Sequence, residues 1–171
     1  DEINSFILQL EHTYKITHNL AHFITPPSPP RTPLFYFLPK IHKPNNPPRP
    51  IISGCDSPTD RISKYLTSIF QPIAESQPTY LKDTKHLLQL IQNQPTLTHD
   101  TFLVTADVSS LYTSIPHDEG INAILTALNT HRHNLPPHTP NNTIIKQFLQ
   151  FILKGNYFDF LNKHYKQIQG T

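Results

Sequence analysis

Leu34-Phe-Tyr-Phe-Leu-Pro-Lys-Ile-His-Lys-Pro-Asn-Asn-Pro-Pro-Arg-Pro-Ile-Ile-Ser53 is the stretch on which the fold turns. Residues 34–38 form an aromatic, β-favouring run. Residues 44–48 are turn chemistry, because proline fixes φ and asparagine tolerates left-handed backbone. Residues 49–53 read as the returning strand, so the whole predicts a loose hairpin with a long loop. Pro50 has no amide hydrogen to donate, which puts the second strand at a sheet edge. Residues 31–55 contain Arg31, Lys40, Lys43 and Arg49 and no acid. Lys43 and Arg49 flank the turn and can point into one cleft. There, charge-assisted bonds to phosphate oxygens contribute about 1.5–3 kcal/mol each. The plainer reading is a solvated basic loop. Phe35, Tyr36 and Phe37 can stack on bases or pack one strand face into a core.

Upstream, Ile3, Phe6, Ile7, Leu10 and Tyr14 recur at helical spacing, predicting one helix over residues 2–21 with a single apolar stripe. His18 and His22 are four apart, a spacing that can bind zinc on a helix, but no third ligand is near and solvent-facing rings are the simpler reading. Residues 25–33 hold five of the chain's 18 prolines, a supply set against 4 glycines. They form an extended connector, or a Pro-rich ligand for another protein's aromatic groove.

Downstream, Ser57-Pro58 opens a helix buried through Ile62, Tyr65, Leu66, Ile69 and Phe70, which Pro72 ends or kinks. A shorter helix from Asp83 turns Leu87, Leu90 and Ile91 inward. Residues 101–107 are an apolar, β-favouring run closing on Asp107. Pro116 starts a helix burying Ile121, Ile124, Leu125 and Leu128. Asn142 caps another, with Ile145, Phe148, Leu149 and Ile152 inside and Gly155 as its stop. Residues 157–160 and 164–168 suggest a closing hairpin. Strands separated by helices without regular alternation imply an α+β fold, with no break that forces two domains.

The totals bound function weakly. The chain has 171 residues, 36% of them hydrophobic, and a formal net charge of +2, so overall charge excludes no partner. Met is absent, which suggests that Asp1 is not a translation start and that the N-terminus is trimmed or the start of a fragment. Cys55 is the one cysteine, so neither a disulfide within the chain nor a thiolate zinc cluster is expected, and a small buried apolar role is the simplest for it. No signal peptide and no long apolar span appears, which makes an intracellular protein the expectation.

Asp107 carries the main chemical signal. A carboxylate at a strand end is held rigidly enough to bind magnesium, which takes one or two protein oxygens plus substrate phosphates. Nucleotidyl transfer uses such ions to stabilise the attacking and leaving oxygens. A surface or helix-capping aspartate is the plainer alternative. His131 and His133 read as a solvated pair, and Ser53, Ser109 and Ser110 have no visible base partner for nucleophilic catalysis.

Read in order, several segments resemble the reverse transcriptase of Penelope-like retroelements. They are Leu38-Pro-Lys-Ile-His-Lys-Pro44, Arg49-Pro-Ile-Ile-Ser53, Ser57-Pro58, Ser63-Lys-Tyr-Leu66, Leu103-Val-Thr-Ala-Asp-Val-Ser-Ser-Leu-Tyr-Thr-Ser-Ile-Pro116 and Tyr165-Lys-Gln-Ile-Gln-Gly-Thr171. Telomerase reverse transcriptases are similar in the Lys-Pro and Arg-Pro-Ile part. The resemblance covers residues 34–171 and implies a right-hand polymerase with fingers and an incomplete palm, built of mixed helices and short antiparallel strands. Residues 1–33 would be a helical segment and connector, 34–100 fingers-like and 101–171 partial palm.

By the same resemblance, Asp107 is the first catalytic, metal-binding aspartate, and the Val108 carbonyl helps to hold a metal. Tyr112 packs under the incoming sugar as a wall against a 2′-hydroxyl. Lys43 and Arg49 grip the triphosphate, with Lys40 as the alternative lysine. Lys40 and Lys64 contact nucleic acid, and Gln169 lies against nucleotide and template, where Gly170 permits close approach. The implied cofactor is magnesium, two ions in the intact enzyme. The implied partners are an RNA template, a DNA primer and deoxynucleoside triphosphates, with no membrane and no obligate protein partner. The parent element would work in the nucleus. The family's paired aspartates follow Gln-Gly-Thr and are not in these 171 residues. Asp118 and Glu119, expected in the first turn of a helix, are poor substitutes. The chain alone is therefore expected to be inactive as a polymerase. A non-catalytic nucleic-acid-binding remnant is the alternative.

Overall fold

The structure is a computed structural model and describes residues 2–168. Five helices make its core: α1 (Glu2–His12), α2 (His18–Ile24), α3 (Asp60–Glu75), α6 (His117–His131) and α7 (Asn142–Lys154), with α4 (Thr84–Gln92) and the four-residue α5 (Leu111–Ser114) between α3 and α6. Predicted stripes bring four of these together, and α2 adds Ala21 and Ile24. Ile7 and Leu10 of α1, Ile62, Leu66 and Ile69 of α3, Ile121 and Leu128 of α6, and Ile145, Phe148 and Leu149 of α7 are all buried. Phe6 meets Phe148 and Phe151 edge to face, at centroid distances of 6.1 and 5.6 Å, a favoured geometry for aromatic pairs.

The helix ends follow capping chemistry. The Asn141 side chain accepts from the Ile144 amide at 3.1 Å, one residue before the expected cap Asn142. Asp83 accepts from the His86 amide at 2.8 Å. The helix predicted over residues 2–21 is instead two. Its chain turns at Tyr14, whose φ is 54°, and Thr17 caps α2 by accepting from the Leu20 amide. Tyr14 thereby leaves the stripe and faces solvent, while Ile16 takes a core position. Pro72 does not end α3, which continues to Glu75. A proline so near the last turn removes few internal bonds, and the Ser76 amide still donates to the Pro72 carbonyl.

The sheet has four strands in the order β2 (Pro48–Ser53), β1 (Leu34–Pro39), β3 (Tyr157–Phe160), β4 (Lys163–Lys166). The fold is α+β, as expected, but the sheet is mixed. β1–β2 and β3–β4 are antiparallel hairpins, and β1–β3 is parallel, with Leu34 opposite Asp159. The expected edge position of the Pro50 strand is found: β2 is outermost. Asn45 and Asn46 supply left-handed residues in the first hairpin loop, φ 63° and 44°. The second hairpin turns on Leu161 and Asn162, φ 49° and 58°, the pairing of positive values that matches strand twist. Leucine is costly there, since left-handed backbone crowds its Cβ, and its side chain is 78% exposed. Leu161→Asn is expected to stabilise the chain by about 0.5–1 kcal/mol, read from its urea midpoint.

Sheet and bundle are joined through the connector. The Asp159 amide donates to the Pro33 carbonyl at 2.8 Å, the Arg31 amide to the Asp56 carbonyl at 2.9 Å, and the Arg61 guanidinium to the Thr25 carbonyl at 2.9 Å. None of the buried hydrophobic residues comes from a strand.

Three sequence expectations fail, the first two for one reason. α4 forms, but Leu87, Leu90 and Ile91 face solvent rather than inward. Residues 101–107 form no strand, and Phe102, Leu103 and Val104 are 88%, 87% and 85% exposed. Cys55 is exposed rather than buried. Apolar periodicity states what a segment can bury; a partner surface decides whether it does. Among the described residues, no strand pairs with residues 101–107 and no residue of α4 is buried.

Candidate nucleotide and nucleic-acid site

The β1–β2 hairpin carries Lys40, Lys43 and Arg49. The Lys40 amide donates to the Pro47 carbonyl at 3.0 Å, and the Lys43 amide to the Lys40 carbonyl at 3.0 Å, so the loop is internally tied. Lys43 and Arg49 are exposed and Lys40 half-buried. Arg49 lies opposite Leu38, so it shares a sheet face with Tyr36 and Leu34, since directly opposed residues point the same way and alternate residues repeat the direction. No acid lies between Leu34 and Ser53.

Asp107 and Val108 are exposed on an irregular segment. The strand end expected to hold the carboxylate is therefore absent from the described residues. The physical reason is the missing pairing partner, without which an apolar run has no ladder to join. Tyr112 sits in α5 and is exposed; it is not the packed residue of a core. Ser110 precedes it in left-handed backbone, φ 54°. Immediately after Tyr112, residues Thr113–Asp118 line one cleft with Lys154, Lys166 and Gln167, so this segment ends beside β4. Lys64, on α3, donates to Asp60 at 2.9 Å and stays largely exposed. Gln169 lies outside the described residues.

Asp118 occupies the first turn of α6, as expected, and Lys154 donates to it at 2.6 Å. That bond holds the Asp118 carboxyl below its ordinary range. The His18 ring pairs with Glu11 at 2.6 Å. Among the described residues, no group of three or more His, Cys, Asp and Glu side chains is gathered to hold a metal. Asp107 alone does not fit the two-ion site that the resemblance implies, since two ions bridging one reaction need shared carboxylates.

The sequence reading missed the contribution of the second hairpin. Parallel pairing of β3 with β1 brings Lys163, Lys166 and Tyr165 into the same sheet as Arg49 and the strands that carry the Lys43 loop. The Lys-x-x-Lys spacing was visible at 163–166, but parallel pairing between distant segments leaves no local pattern. No helix among the described residues is long and apolar enough to cross a membrane. Comparison with protein-family models, curated proteins and solved structures finds no match for the chain.

Proposed function

We propose that the chain is the front portion of an RNA-directed DNA polymerase of the Penelope-like kind, in which the β1–β2 hairpin grips the triphosphate of the incoming nucleotide. The observation that carries this reading is the hairpin itself. It carries Lys40 and Lys43 on a loop tied by its own backbone, and Arg49 on the returning strand β2, with no acid between Leu34 and Ser53, within the ordered set of segments that resembles the family. A guanidinium and an ammonium supply the chemistry of phosphate recognition: arginine as a planar fork, lysine as a point charge.

Asp107 is the first catalytic aspartate in this reading, and Tyr112 the wall that selects deoxyribose. The exposed, β-favouring residues 101–105 would become a strand only against a further strand, which would fix Asp107 at its end. Magnesium belongs to the assembled polymerase, where more carboxylates must stand beside Asp107. RNA template and DNA primer are the macromolecular partners, and the parent element works in the nucleus.

The test is templated primer extension with the reading frame that contains this chain. The expected result is magnesium-dependent extension that Asp107→Asn abolishes, and none from the 171-residue chain by itself. Extension unaffected by Asp107→Asn, or templated synthesis by the 171 residues alone, would overturn the reading.

A further inference from the structure

We infer that the face of the sheet carrying Phe35 is a stacking platform for single-stranded nucleic acid. The pairing register sets which residues share that face. Phe35 and Phe37 of β1 lie on it. So do Phe158 and Phe160 of β3 and, opposite Phe158, Tyr165 of β4. The rings form a continuous row across three strands. Phe35 meets Phe160 edge-on at 4.9 Å and Phe158 at 5.7 Å, and Phe158 stacks on Tyr165 at 5.6 Å with an interplanar angle of 18°.

The inner rings support one another, and the outer ones stay open. Phe37 is 60% exposed and Tyr165 is 42% exposed. The buried hydrophobic core is built entirely from the helical region, so this row is not part of it. An open aromatic row is apolar surface that a ligand with flat faces can cover.

Charge selects the ligand. β1 and β3 run parallel, so both hairpin turns lie at the same end of the sheet. Lys40 and Lys43 occupy one turn, and Lys163, which shares the aromatic face through its pairing with Phe160, follows the other. The one acid in these strands and turns is Asp159, which lies on the opposite face and is paired with His164. Flat aromatic surface ending in cations without an acid suits a polyanion with unstacked bases. A duplex hides its base faces and would meet only the cations. The platform stands without the polymerase reading, because it needs neither Asp107 nor a triphosphate.

The experiment titrates the 171-residue chain into fluorescein-labelled oligouridylate and oligodeoxythymidylate of about 10 nucleotides, with a mixed-sequence RNA duplex as comparison. Fluorescence anisotropy reads binding. Phe37→Ala and Tyr165→Ala are each expected to weaken single-strand binding about tenfold and leave duplex binding within about twofold. Tyr165→Phe keeps the ring and should retain binding. Tyr157→Ala, on the opposite face, should change nothing. Circular dichroism confirms that each variant is folded. The platform is overturned if Phe37→Ala and Tyr165→Ala bind single strands as the unaltered chain does, even where Lys43→Ala weakens binding. Duplex preferred over single strands, or rings covered by self-association that sedimentation detects, overturns it equally. Preference for RNA over DNA, or the reverse, identifies which strand the platform takes.

Discussion

Replacing Lys43 and Arg49 together by alanine is expected to weaken binding of the chain to an RNA–DNA hybrid about a hundredfold at low salt. Each charge-assisted contact to a phosphate is worth about 1.5–3 kcal/mol, and about 1.4 kcal/mol is tenfold in affinity. Both side chains are exposed, Lys43 on a loop tied by its own backbone and Arg49 on β2 opposite Leu38. Their loss should therefore remove charge without unfolding the hairpin. The plot of log affinity against log salt should also become shallower by roughly 2, because each phosphate contact surrendered returns about 0.9 of a counterion. Lys64→Ala should do much less, since Asp60 already holds that ammonium at 2.9 Å. An unchanged salt slope in the double variant would remove the hairpin from the binding surface.

Phe148→Ala should lower the unfolding free energy by about 3–5 kcal/mol, the range for emptying a buried aromatic site. Phe148 is wholly buried on α7 and sits edge-on to Phe6. Its ring joins two helices that are distant in sequence, so little local rearrangement can fill the space. A domain of this kind has a total stability of about 5–15 kcal/mol, which makes this single change a large share of it. Leu90→Ala on α4 removes a similar apolar group from an exposed position. It should cost no more than about 0.5 kcal/mol beyond its helix-propensity term. Urea unfolding of the two variants side by side checks both figures; equal losses would mean that α4 packs against something in solution.

That contrast also marks where sequence reading succeeds. The stripes of α1, α3, α6 and α7 were legible because each repeats at 3.6-residue spacing and each meets another stripe. The first hairpin was legible because Asn45 and Asn46 accept backbone that most residues resist, and the second as two strand-like runs, the later of which lies at Lys163–Lys166 rather than 164–168. Leu87, Leu90 and Ile91 show equally regular spacing, yet nothing among the described residues covers them. Phe102, Leu103 and Val104 have the composition of a buried strand but no ladder to join. A period of 2 or 3.6 reports a face, not its partner.

The candidate site divides the same way. Lys43 and Arg49 could be placed from sequence because both lie on one hairpin whose turn is written in Pro44, Asn45, Asn46, Pro47 and Pro48. Lys163 and Tyr165 could not, because their position depends on β3 pairing in parallel with β1. Asp107 depends on a strand that the described residues do not complete.

Chemical labelling of the triphosphate grip tests the central claim most directly. Pyridoxal phosphate forms an imine with a lysine beside a phosphate-binding position, and borohydride fixes it for peptide mapping. The account predicts that Lys43, or its neighbour Lys40, is the labelled lysine in the 171-residue chain, that a deoxynucleoside triphosphate protects it, and that Arg49→Ala removes the protection. Label spread over the surface lysines with no protection by the triphosphate would contradict it.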